Sequence, residues 1–199
     1  MWSSIFAMAL TLFLIANPVG NSPTIIALVK DFDLSRQKKI LFREATFALL
    51  FALFFQYFGE MFLGALNIKD YTLTITGGLL LLLVAYGMIF HDAPQEGVIA
   101  SKQDPFIVPI ATPILSGAGL MSVIMLFSAR ERDNFKITSA ILIAWVGIYF
   151  VLAIAPYMQK ILGKRGLNAL EQVMGLILAL ISMEMVVNGS ALLLKTLRS

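Results

Sequence analysis

Apolar positions run along this chain in blocks rather than stripes. Segments at roughly 3–29, 39–66, 71–90, 105–129, 136–158 and 168–195 are almost free of charge. The short stretches between them, among them KDFDLSRQKK, NIKD and ARERDNFK, hold most of the Lys, Arg, Asp and Glu. Runs of this length match the roughly 20 helical residues that cross a hydrocarbon core of about 30 Å. The ten-residue alternation of a barrel strand is missing. Backbone groups must be paired inside lipid, so continuous apolar runs predict helices. The pattern therefore predicts an all-α integral membrane protein with six transmembrane helices.

Two of the six segments are interrupted. The first contains ANPVGNSPTI, with two prolines, a glycine and two asparagines. Ile5 to Ala16 would rise only about 18 Å as a helix, too little to cross, and apolar residues resume from Thr24 to Val29. The break at 17–23 is therefore expected inside the bilayer, not at its edge. The fourth segment behaves alike, with Pro105 to Leu115, then SGAG at 116–119, then Leu120 to Ala129. Pro18 and Pro23 remove backbone donors and free carbonyls. Gly20, Gly117 and Gly119 allow unusual dihedrals and close approach. Freed carbonyls suit an ammonium or a cation, and amides at a half-helix N-terminus suit a carboxylate. Asn17, Pro18, Gly20, Asn21, Pro23, Thr112, Pro113, Ser116, Gly117 and Gly119 are accordingly the candidate substrate-binding residues. The competing account is a kink or re-entrant turn used only for packing.

The fourth segment also repeats the first. Placing ANPVGNSPTI over ATPILSGAGL sets Ala16 on Ala111, Pro18 on Pro113 and Asn21 on Ser116. Further on, TGGLLLLLVAYGM lies over MGLILALISMEM with Gly78 on Gly175. Three spans per unit is an odd number, so the second unit enters the membrane in the opposite sense. The expected organisation is two inverted three-helix repeats, residues 1–98 and 99–199, with broken first and fourth helices.

Composition sharpens this picture. The chain is 59% hydrophobic and 14% charged, with a mean hydropathy of +0.86, well above soluble domains. The N-terminus has no basic n-region and its apolar run meets prolines, so the first segment is expected to be retained. The net charge of +3 is spread over several loops and does not suggest nucleic acid. Nine basic residues flank loops one–two, three–four and five–six against six elsewhere, which favours both termini outside. With no cysteine there are no disulfides, thiolate metal sites or dithiol redox chemistry. The single His91 cannot supply a histidine metal cluster, and no serine has an evident base, so the chain is not expected to be an enzyme.

Glu184 falls near the middle of the sixth segment, where an ionised carboxylate would cost at least about 2.5–3.5 kcal/mol. It is expected to be neutral, paired or facing a wet cavity, and is a candidate for coupling to a proton or sodium ion. An oligomer or helix-packing contact is the other account of it, and a homo-oligomer is compatible with the pattern. Glu171 reads as a first-turn acid that suits the helix dipole. Arg43 and Glu44 read as a snorkelling interfacial pair.

NPVGNSP in the first segment, DPFIVPIATPILSGAG (104–119) opening the fourth and LNALEQVMGLIL (167–178) in the sixth resemble the MarC family of bacterial and archaeal inner-membrane proteins. The resemblance covers essentially the whole chain in length, span count and motif order. It implies a six-span transporter of small neutral amino acids such as glycine or alanine, distantly similar to LysE-type exporters. The family's fourth-span motif usually reads GPG, and this chain has Gly117-Ala118-Gly119, which restores a backbone donor and softens the second break. A secondary transporter is thus the expected function. An exporter, a passive channel or facilitator for small osmolytes, and a non-transporting scaffold are the alternatives.

Overall fold

A computed structural model describes residues 2–90, 110–131 and 133–198. His91, the expected repeat boundary at 98/99 and the opening of the fourth segment up to position 109 lie outside the described residues. Every described element is helical. In chain order they are α1 (Trp2–Ala16), α2 (Ser22–Val29), α3 (Leu34–Ala65), α4 (Asp70–Phe90), a short wide-turn segment (Ile110–Leu115) and α5 (Ala118–Arg130). The stretch Asn134–Arg198 is helical throughout except at Gly163. It comprises two apolar spans, α6 (Asn134–Met158) and α7 (Lys160–Arg198). Of these elements α3, α4, α6 and α7 are each long and apolar enough to cross a membrane. With 15 and 13 residues, α1 and α5 fall short by themselves.

Local chemistry sets the boundaries. Asp33 is extended (ψ 153°) and its carboxylate accepts the Arg36 amide at 3.1 Å, a side-chain N-cap that starts α3. Expected from residue 39, the helix therefore begins five residues earlier, because Arg, Gln and Lys are good helix formers once a cap is present. At its other end Asn67 takes a left-handed backbone (φ 52°). The amides of Asn67 and Ile68 return to the carbonyls of Gly64 and Leu63 at 3.1 and 2.9 Å. That pair of bonds is a Schellman closure, with apolar Ile68 and Leu63 at its contact positions. Similarly, the sixth segment is helical well before 168, and the break in helical dihedrals falls at Gly163. Gly163, at φ 63° and ψ 177°, carries the bend with a backbone that L-residues rarely adopt. Glu171 consequently stands well inside α7 and not in its first turn.

The core is made where small residues let helices approach. Against α7, α4 packs through Gly78, whose added methyl would lie 2.8 Å from the Ser182 carbonyl oxygen. A methyl on Gly175 would lie 3.3 Å from the Ala85 carbonyl oxygen. Membrane helices associate through such close contacts because lipid offers no hydrophobic drive between them. Leucine at Gly78 should therefore cost about 1–3 kcal/mol through overpacking. Thermal melting in lipid nanodiscs checks this, and an unchanged melt would mean that the two helices separate easily there. Elsewhere the Trp145 indole donates to the Ala45 carbonyl at 2.8 Å, and Gln56 Nε2 donates to Thr138 Oγ1 at 2.8 Å, tying α3 to α6. Besides α6, α3 also packs against α5 and the Ile110–Leu115 segment.

Candidate functional site

The first break is a tight turn built by its own residues. Asn17 ends α1 in a left-handed conformation (φ 49°), which asparagine tolerates better than most residues. Its amide returns to the Phe13 carbonyl at 3.0 Å, the single-bond form of a helix C-terminus. Asn17 Oδ1 then accepts the Gly20 amide at 3.1 Å, and its Nδ2 points at the Met88 sulfur at 3.3 Å. Ser22 Oγ donates to the Pro18 carbonyl at 2.8 Å, which the Ser22 amide leaves open by turning to the Val19 carbonyl. Pro23 occupies the first turn of α2, where its missing donor is harmless.

The second break has a different backbone. Thr112 is extended (φ −137°, ψ 133°) inside Ile110–Leu115, the segment that also contains Pro113. The Ser116 amide returns to the Ala111 carbonyl at 2.9 Å, one residue wider than an α-turn, and Ser116 Oγ donates to the same carbonyl. Gly117 is extended and begins α5 without a side-chain cap. The first amides of α5 are thus not claimed by a capping side chain. Gly119 sits against the Leu81 side chain, and Gly20 against the Met88 methyl, so α4 touches both breaks.

The two breaks meet. Asn21 Nδ2 donates to the Ala16 carbonyl in its own half and to the Ile114 carbonyl in the other, each at 3.2 Å. Asn17 is 1% exposed and Ser116 5%, whereas Asn21, Thr112 and Gly117 are half-buried. Two open clefts, of about 430 and 200 Å³, lie elsewhere, toward the start of α3. Arg36, Lys39, Ile40 and Arg43 line the larger, together with Asp33 and Ser35.

Glu184 is not brought to this junction. It lies on the exposed face of α7, where Asn188 Nδ2 donates to its Oε1 at 2.9 Å. The buried carboxylate belongs instead to Glu44. As expected for a snorkelling residue, Arg43 stays 35% exposed, but the Glu44 side chain is fully buried. Arg43 Nε and Nη2 donate to Glu44 Oε1 at 3.0 and 2.8 Å. Glu44 Oε2, like Gln56 Oε1, has no hydrogen-bond partner among the described residues. A signal for both lies in the helical spacing. Gln37, Leu41, Glu44, Ala48, Ala52, Gln56 and Gly59 recur every three or four residues and form the buried face of α3. Among the described residues no cluster of His, Cys, Asp and Glu could hold a metal ion.

All-helical architecture, several spans of membrane length and breaks pinned together in the interior define a polytopic helical membrane protein. The chain belongs to the MarC family of integral membrane proteins, whose family model matches residues 2–194. It is 35% identical over 188 residues to a UPF0056 membrane protein of Buchnera aphidicola, covering 94% of this chain and 96% of that one. It is 34% identical over 195 residues to the UPF0056 inner membrane protein YhgN of Escherichia coli K12, covering 97% and 99%. A UPF0056 membrane protein of Chlamydia trachomatis is 32% identical over 186 residues, with 92% and 90% covered. No solved structure matches the chain.

Proposed function

We propose that the protein is a secondary transporter of small neutral amino acids, with glycine and alanine as first candidates, working from the junction of its two broken helices. The observation that carries this reading is the Asn21 bond to Ile114 across the two breaks, next to the uncapped start of α5. Helix-terminal amides there suit a carboxylate, and the carbonyls of the turns suit an ammonium. Asn17, Pro18, Gly20, Asn21, Pro23, Thr112, Pro113, Ser116, Gly117 and Gly119 would line the site once it opens. Broken helices at a repeat junction are a recurrent way of building midplane sites.

Six crossings in two inverted repeats belong to the same proposal, with α1–α2 and the Ile110–Leu115 segment with α5 as the two composite spans. Equivalent contacts support it. Asn21 donates to the carbonyl five positions back, Ala16, and Ser116 to the carbonyl five positions back, Ala111. With Gly78 set on Gly175, the Gly78–Ser182 contact and the Gly175–Ala85 contact become one contact seen from either half. The inner membrane is the proposed location, in keeping with the name of the Escherichia coli relative. Both termini outside is the proposed orientation, which the basic-residue count favours.

Saturable counterflow of labelled glycine or alanine in proteoliposomes is the expected result, and Asn17→Leu should remove it. Non-saturating flux without counterflow would instead describe a channel. No flux of any small amino acid, with Asn17→Leu folding normally, would leave a scaffold and reject transport.

A further inference from the structure

We propose that Glu44 is a proton-carrying carboxylate, loaded from the cleft that Arg43 lines. Three observations meet at this residue. Its side chain is fully buried, on the packed face of α3. Only one of its oxygens is held: Arg43 takes Oε1 through two contacts, and Oε2 has no partner among the described residues. Arg43 itself lines the open cleft of about 430 Å³, together with Arg36 and Lys39. One side chain therefore joins an aqueous entrance to a buried acid.

The chemistry is a simple proton exchange. A hydronium ion in the cleft gives up its proton to Oε2 and is left as water, producing a neutral carboxylic acid, and the Arg43 guanidinium keeps its own protons and charge. Release of the proton restores the pair.

The other charged and titratable groups around Glu44 are few. On its own helix they are Arg36, Lys38, Lys39 and Arg43, with Arg36 over the Phe32 ring and Lys38 over Tyr157, and Asp33, the cap of that helix, lines the same cleft as Arg43. From α6 comes Tyr149, whose hydroxyl bonds Thr46 Oγ1 at 2.9 Å. Lys136, at the far end of α6, pairs with Glu131 at 3.2 Å, and Lys160 lines the smaller cleft beside Gln37. The Ile110–Leu115 segment has no titratable side chain, and α5 has only Arg130 in its last turn. Glu44 is thus the one carboxylate on the buried face of α3. Because α3 packs against Ile110–Leu115, a shift of α3 reaches the second break directly. In that last respect the inference deepens the transport reading and rests on it; the protonation itself does not.

Infrared difference spectroscopy of the reconstituted full chain tests the protonation. Acidification should produce a carboxylic C=O band of a buried acid in the wild type, and Glu44→Gln should lose it. Glu44→Asp, which keeps the acid but shortens it, should retain a band at a displaced pH. A band that survives in Glu44→Gln, or no titrating band in the wild type, overturns the proposal. Counterflow is the second readout: the pH profile of the wild type should be flattened in Glu44→Gln. A wild type with the band but no flux would reject transport and leave the proton site standing. A wild type with pH-dependent flux whose profile is unchanged in Glu44→Gln would reject Glu44 alone.

Discussion

Asn21→Leu is expected to destabilise the protein by about 2–5 kcal/mol and to abolish substrate counterflow. Asn21 Nδ2 serves two carbonyls, one at the end of α1 and one inside the second break. Carbonyls at a helix end have no partner within the helix. Leucine nearly matches asparagine in size but donates nothing, so both carbonyls would lose the donor they have at this part-buried junction. Each stranded group costs about 1–3 kcal/mol. The comparison that isolates the effect is Ser116→Ala. Ser116 donates only to Ala111 within its own half, and that carbonyl keeps the Ser116 amide. Its loss should cost only about 0.5–1.5 kcal/mol, the net worth of an ordinary bond. Melting of both variants in nanodiscs decides the matter. Equal melting shifts would mean that the bond between the breaks contributes nothing beyond a local turn.

The apolar blocks were legible because spans are long and the polar residues are confined to their ends. The first break was legible too, since NPVGNSP carries two prolines and a glycine and the counted rise fell short of the bilayer. The second was expected at 116–119 and falls earlier, from the extended Thr112 to Gly117, with Gly119 already inside α5. What hydropathy could not give was the facing of each helix. In a soluble protein the polar stripe marks the outside, but in lipid both the outer face and the core are apolar. Hence Glu184 looked central in sequence and stands on the exposed face of α7. Glu44 looked interfacial beside Arg43 and is buried. The better guide on α3 was the recurrence of small residues, Ala45, Ala48, Ala52 and Gly59, which marks the packed face and includes Glu44 and Gln56 in its phase. Likewise the Asn21–Ile114 bond joins positions 93 apart, and no local pattern announces its partner.

Trp145→Ala should have the largest effect on stability alone, about 3–5 kcal/mol, in the range of large aromatic deletions from a core. Trp145 is 1% exposed, and its indole nitrogen donates to the Ala45 carbonyl at 2.8 Å. Alanine removes both the volume and the bond, whereas phenylalanine keeps most of the ring and loses only the donor. Trp145→Phe should therefore cost about 0.5–1.5 kcal/mol. A Trp145→Phe variant that melts as low as Trp145→Ala would mean that the hydrogen bond, and not the ring, holds α3 to α6. The milder variant also tests the neighbourhood of Glu44, because Ala45 is the next residue on α3. Freed of the indole, α3 can shift at this level, and the carboxylic band of Glu44 should appear at a displaced pH without being lost. A band unmoved in Trp145→Phe would mean that the environment of Glu44 is fixed by Arg43 and the packed Ala48–Ala52 face, independently of α6.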